Sequence, residues 1–297
     1  MSLQDMVDAR QCPVRRPGHA VDSVAIIHIP KTAGTFLHVA LHALLPQAGS
    51  GRWCTWGDEG TGRDLPPVFS NCGGGDPGPD HQKLFEATRM AFTHNCSGFA
   101  AHQDVAYFDA VGVDYSRTLT LTALRHPVDR VISAYFYSLR VDAPFLEGYK
   151  PQNDTDFTGL MRFVEENPID SNNLMTQHLG GSRHCNWPGI APAPPREQRL
   201  EAAKRNLARI CVIILSEFMD ESLVRLAKAG GWASRRVLKL AQDLEAGNTG
   251  SKVNATPKPK IPVEVRLAIE RNNREDMRLY EYAVQLFLRR SLTADAR

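Results

Sequence analysis

Apolar residues fall along this chain in two recurring arrangements, short unbroken runs and longer stretches at helical spacing. Val24, Ala25, Ile26, Ile27 and Ile29 make the first run. It lacks the apolar–polar alternation of a half-exposed strand, so it predicts a strand buried on both faces, as in a parallel sheet. From Thr35 onward Phe36, Leu37, Val39, Ala40, Leu41, Leu44 and Leu45 keep helical spacing, and Pro46 ends the helix. The arrangement recurs at residues 118–124, TLTLTAL, which predicts a strand. Arg125-His126-Pro127 then leads into a helix over 128–140, with the proline in the first turn, where its missing N–H costs nothing. Residues 210–215, ICVIIL, predict a third buried strand. A charged amphipathic helix over 196–209 precedes it, and a helix over 220–229 follows, closed by Gly230-Gly231.

Weaker patterns fill the intervals. A short strand is expected at 98–101, just ahead of His102, and helices at 156–166, 171–179 and 263–290, the last broken near Asn272-Asn273. Residues 47–82 have the Gly, Pro and Asp content of a loop, as do the Pro-rich 184–195 and the basic 251–262. Strands alternating with helices predict an α/β fold, a parallel sheet flanked by helices in a single domain over 22–290. Residues 1–21 read as an irregular lead-in and 291–297 as a tail.

Composition narrows the class without naming it. A 42% hydrophobic content is ample for a core, and 35 Lys+Arg against 33 Asp+Glu leave a net charge of only +2. No global field therefore argues for nucleic acid or an anionic membrane, and any anion must be recognised locally. No run reaches the 18 apolar residues of a membrane span, and the first twenty residues lack the apolar centre of a signal peptide. A soluble, cytoplasmic protein is expected on this pattern, with the Golgi lumen the alternative if an anchor lies outside this chain. Six cysteines fall in no zinc spacing, so no metal site is expected. Cys211 reads as a core residue, whereas Cys54, Cys72, Cys96 and Cys185 sit in polar surroundings that suit disulfides, as do sequons at Asn95, Asn153 and Asn254.

The candidate chemistry lies at strand ends. Pro30-Lys31-Thr32-Ala33-Gly34-Thr35 joins a strand to a helix with small residues, one cation and two hydroxyls. Backbone N–H groups at a helix start, with a lysine beside them, suit a phosphate or sulfate, although an ordinary turn with a solvated lysine has the same composition. The loop is not GxxxxGK[ST], because Lys31 precedes Gly34. At the second strand end stands Arg125, with Ser133 eight residues later, about two turns into the helix. Ligands of open α/β sheets bind beyond the carboxyl ends of strands, and here two such ends carry anion-binding groups.

HIPKTAGT followed by LRHPVDRVISAYF resembles the paired signature of sulfotransferases that use 3′-phosphoadenosine-5′-phosphosulfate (PAPS). The likeness is to the carbohydrate group containing the heparan sulfate 2-O- and 6-O-sulfotransferases, nearer the 6-O members. GFAAHQDVAYF, ICVIILSEFMDESLVRLAKAGGW, VNATPKPK and NNREDMRLYEYAVQLFLRR extend it over roughly residues 22–290. The resemblance implies a P-loop-like sulfotransferase fold, PAPS as co-substrate and a carbohydrate or other hydroxyl acceptor, with no metal required. It puts the 5′-phosphosulfate on Lys31, Thr32, Ala33, Gly34 and Thr35, and the 3′-phosphate on Arg125 and Ser133. The loop holding Lys252, Asn254 and Thr256 would close over the nucleotide. The family's catalytic base falls on His102, with His94 the alternative and Asp104 a candidate to orient the ring; Lys31 would act on the leaving group. The chain departs from the family in having Ala33 where glycine is common, and Gln103-Asp104-Val105 where the 6-O members carry an aromatic residue. A small-molecule kinase and an inactive nucleotide- or glycan-binding module are the competing readings.

Overall fold

The structure is a computed structural model, and it describes residues 12–13, 21, 23–45, 52–55, 96–151, 153, 156–167, 171–182, 192–246 and 259–294. The fold is α/β. Three buried strands, β1 (Val24–Ile27), β4 (Leu119–Leu124) and β5 (Val212–Leu215), pair in parallel. β2 (Arg52–Thr55) and β3 (Cys96–Ala101) extend the same sheet to the order β2-β3-β1-β4-β5, again in parallel.

About ten helices flank it, numbered here in chain order. They are α1 (Gly34–Leu44), α2 (Val105–Ala110), α3 (Pro127–Arg140), α4 (Thr158–Glu166), α5 (Leu174–Leu179), α6 (Arg199–Arg209), α7 (Met219–Gly230), α8 (Ser234–Glu245), α9 (Val263–Asn272) and α10 (Arg274–Ala294). Successive side chains of a strand point to opposite faces. Accordingly Val24 and Ile26 of β1 join a cluster with α1, α7 and α8. Ala25 and Ile27 join another with α2, α5, α6 and α10. A third core ties α3 to α4 and α9 through Val131, Phe163 and Ile269. Among the described residues no helix is long and apolar enough to cross a membrane.

The unbroken apolar runs became central strands, and proline occupies the first turn of α3 as its fixed φ favours. The first ladder ends at Ile27, two residues short of the apolar run, because the chain turns at Pro30; His28 and Ile29 stay buried beyond it. The helix expected from 196 opens with a 3₁₀ turn, Arg196–Gln198, and the break near Asn272-Asn273 separates α9 from α10. Within the stretch read as loop, residues 52–55 pair with β3. The lead-in is fastened at two points: Cys12 is disulfide-bonded to Cys211, 199 positions away, and the Val21 N–H donates to the Gly230 carbonyl at 2.9 Å. The other four cysteines have side chains outside the description.

Two helix starts cap each other. The buried Asp276 carboxylate near the start of α10 accepts the N–H groups of Met175 and Thr176 in α5, at 3.1 and 2.7 Å. In return the Asn173 side-chain oxygen, just before α5, accepts those of Glu275 and Asp276, at 2.9 and 3.0 Å. Each side chain thus satisfies orphan donors of the other helix. Burial pushes the Asp276 carboxyl above its usual range, and the charge of Arg130, fully buried on α3, opposes that shift.

Candidate functional site

Because the strands are parallel, their carboxyl ends share one edge of the sheet. Ile27 of β1 is level with Ala101 of β3 and Thr122 of β4, and Leu124 is level with Leu215 of β5. The residues that follow therefore line up in spatial order: His102 after β3, the Lys31 loop after β1, Arg125 after β4, and Ser216 after β5. Ser216 Oγ lies 3.1 Å from the Leu124 carbonyl and 3.3 Å from that of Thr32, joining three of these ends.

The loop is held by its own backbone. Thr32 is fully buried and its hydroxyl donates to the Ile29 carbonyl at 2.7 Å, so this side chain braces the turn. Lys31 and Ala33 have φ of 68° and 78°, a left-handed region that strains any residue with a β-carbon. Ala33 thus adopts the conformation a glycine would take freely. It precedes α1, and among the described residues no side chain caps that helix. Gly34 is required by close approach, since a β-carbon there would lie 1.9 Å from the His28 ring. The side chain of Thr35 lies outside the description.

The Lys31 ammonium rests on the ring of Tyr137, 3.3 Å from its centroid. Tyr137 stands on α3 one turn after Ser133, and residues four apart on a helix share a face. The lysine of the turn after β1 therefore reaches the helix face that carries the Ser133 hydroxyl. Arg125 and Ser133 are both half-buried. The backbone N–H of His126, at the start of α3, donates to Glu217 Oε1 at 2.7 Å. The Tyr280 hydroxyl donates to the other oxygen of Glu217 at 2.6 Å, and burial together with that carboxylate pushes the Tyr280 phenol up. That amide is engaged, so the polar groups this turn leaves to be considered for a ligand are the side chains of Arg125 and Ser133 more than the helix start.

Four of the ten histidines converge behind the loop. The His28 and His102 rings meet edge to face with centroids 4.2 Å apart. His102 is half-buried, while His28, His38 and His178 are buried. His178 Nδ1 lies 3.4 Å from the carbonyl of Gln103, the residue after His102. Burial first, then the charges available to His102, His38, His178 and Lys31, holds the His28 imidazole well below its usual range. His28 therefore stays neutral where an ordinary imidazole titrates. Asp104, the residue expected to orient the His102 ring, caps α2, accepting the Tyr107 N–H at 3.1 Å.

The structure thus brings Lys31, Thr32, Ala33, Gly34, Arg125 and His102 to one edge, with Ser133 on α3 one turn before the ring that Lys31 touches. Lys252, Asn254, Thr256 and the alternative base His94 lie outside the described residues. Sequence reasoning passed over Tyr137 and Glu217, and as candidate bases it named only His102 and His94. Among the described residues no group of three or more His, Cys, Asp or Glu side chains is arranged to hold a metal ion. Compared with known proteins, the chain matches no family model and no curated protein at a significant level.

Proposed function

We propose that this chain is a sulfotransferase with a P-loop-like sulfotransferase fold, moving a sulfuryl group from PAPS to a hydroxyl, in the first instance on a carbohydrate. One observation carries the reading. Adjacent parallel strands in the order β3-β1-β4 deliver a histidine, an anion loop with its lysine and an arginine to the same edge. A nucleotide with phosphate groups at two ends needs two separate anion sites, and a transfer to a hydroxyl needs a base next to one of them.

In this reading the 5′-phosphosulfate is held by the loop backbone of Thr32, Ala33, Gly34 and Thr35, and the 3′-phosphate by Arg125 and Ser133. His102 removes the proton of the attacking hydroxyl, which is a poor nucleophile at neutral pH. The hydroxyl oxygen bonds to sulfur as the bond from sulfur to the bridging oxygen breaks. Negative charge gathers on that oxygen, where Lys31 opposes it more in the transition state than in the ground state. Lys252, Asn254 and Thr256 belong to this proposal through the sequence resemblance alone.

The test is incubation with PAPS or ATP, with and without magnesium, against a panel of sugars read by mass spectrometry. An acceptor gaining one sulfuryl group from PAPS supports the reading. Phosphorylation from ATP supports the kinase instead, and neither product supports a binding module.

A further inference from the structure

Resting on the sulfotransferase reading, and going beyond it, we propose that Tyr137 is a positioning residue that acts through Lys31, using its aromatic face to fix the ammonium at the anion loop. A lysine side chain ends in a flexible stem, and its charge stabilises a leaving group only if it is already in place. Here the stem leaves a backbone in the left-handed region, and its ammonium sits 3.3 Å above the centre of the Tyr137 ring. That is well inside the distance at which a ring quadrupole holds a cation. Strained backbone of this kind persists where surrounding contacts over-determine it.

The choice of an aromatic ring has a chemical logic. A carboxylate could hold the lysine as firmly, but it would cancel the charge and repel an anionic donor. The π-face of Tyr137 holds the cation while leaving its charge intact, and an ammonium on a ring turns its remaining N–H bonds away from that face. The same ring has the Arg140 guanidinium carbon 5.1 Å from its centroid, so it serves as a platform for cations from two elements. Tyr137 stands one turn beyond Ser133 on α3, and so references Lys31 to the helix that carries the second anion site.

The experiment compares the wild-type full chain with Tyr137→Phe, which keeps the ring, and Tyr137→Leu, which keeps apolar bulk without it. Tyr137 is 38% exposed, so both variants fold. The first readout needs no turnover: the Lys31 ε-methylene resonances should be shifted upfield by the ring in wild type and Tyr137→Phe, and lose that shift in Tyr137→Leu. The second is kinetic. Tyr137→Leu should lower kcat about tenfold while leaving the affinity for adenosine 3′,5′-bisphosphate within about twofold, and Tyr137→Phe should restore kcat. An unshifted Lys31 in wild type overturns the proposal, as does a normal kcat in Tyr137→Leu or an equal loss in both variants. Wild type that binds the bisphosphate and shows the Lys31 shift, yet transfers nothing from PAPS to any acceptor, overturns the sulfotransferase reading and the rate role together. Transfer at a rate independent of Tyr137 overturns this inference alone.

Discussion

Replacing Gly34 by alanine probes the contact that links the turn after β1 to the histidines. A β-carbon at position 34 would lie 1.9 Å from Cδ2 and Nε2 of His28 and 2.7 Å from Cγ. Ordinary carbon contacts fall at about 3.5–4.0 Å, so the ring must retreat by roughly 1.6 Å or more. It has little room, being 7% exposed and set against His102 at 4.2 Å. Overpacking of this kind costs about 1–3 kcal/mol. Position 34 is the first residue of α1, and there alanine regains at most about 1 kcal/mol of helix propensity over glycine. Gly34→Ala should therefore destabilise the protein by about 1–2 kcal/mol net. With His28→Ala already in place the clash is gone, and the same change should be neutral or stabilising by up to about 1 kcal/mol. The double-mutant coupling should then come to about 2 kcal/mol, read from denaturant unfolding of the four proteins. Coupling below about 0.5 kcal/mol, the usual error of additivity, would refute the packing of His28 on the loop.

Other outcomes follow from the proposed function, for Arg125 and His102, and from the geometry, for His28 and Cys12. Arg125→Ala should weaken adenosine 3′,5′-bisphosphate by about 1.5–3 kcal/mol by calorimetry and leave adenosine 5′-phosphosulfate almost unaffected; equal losses for both ligands contradict a 3′-phosphate role. His102→Ala should slow transfer by about 10²–10⁴-fold with bisphosphate binding unchanged, and an active variant removes this base. The folded-state pKa of His28 is depressed, so its contribution to stability is whole above the unfolded value of about 6.5 and is lost as pH falls from there towards the folded value. Unfolding free energy should thus drop on acidification, by at most about 1.4 kcal/mol per pH unit from this group, and His28→Gln should flatten the profile; an unchanged slope sinks the assignment. Cys12→Ser should cost about 2–5 kcal/mol in thermal or denaturant unfolding, since the Cys12–Cys211 bond spans 199 positions, and a variant as stable as wild type refutes that constraint.

Elements were legible in the sequence wherever burial on both faces or a long amphipathic face left a pattern. β1, β4 and β5 are continuous apolar runs, and α3 announces itself by Pro127 and its apolar spacing. β2 escaped because RWCT is four residues long and sits in Gly- and Asp-rich surroundings, with no room for a period to show. α8 was readable, with buried Val237, Ala241 and Leu244 at helical intervals, and went unread behind Gly230-Gly231. Of the candidate site, the strand-end groups were legible, since small residues, a lysine and an arginine after apolar runs are local features. Its histidines were not. Whether His28, His38, His102 and His178 meet depends on sheet order and on where α5 packs, and neither property leaves a mark in local spacing. Glu217 and Tyr137 were hidden for the same reason: their partners are 91 and 106 positions away in the chain.

The paired caps between Asn173 and Asp276 also make two distant parts of the chain depend on each other. α5 has six residues, too few to persist in water without outside support. Its first-turn amides are completed by a side chain about a hundred residues downstream. The short helix that carries His178 is therefore supported by the docking of α10, and two first-turn amides of α10 are in turn completed by Asn173. Loosening either helix start should therefore loosen the other, so the setting of His178 depends on a segment about a hundred residues away in the sequence.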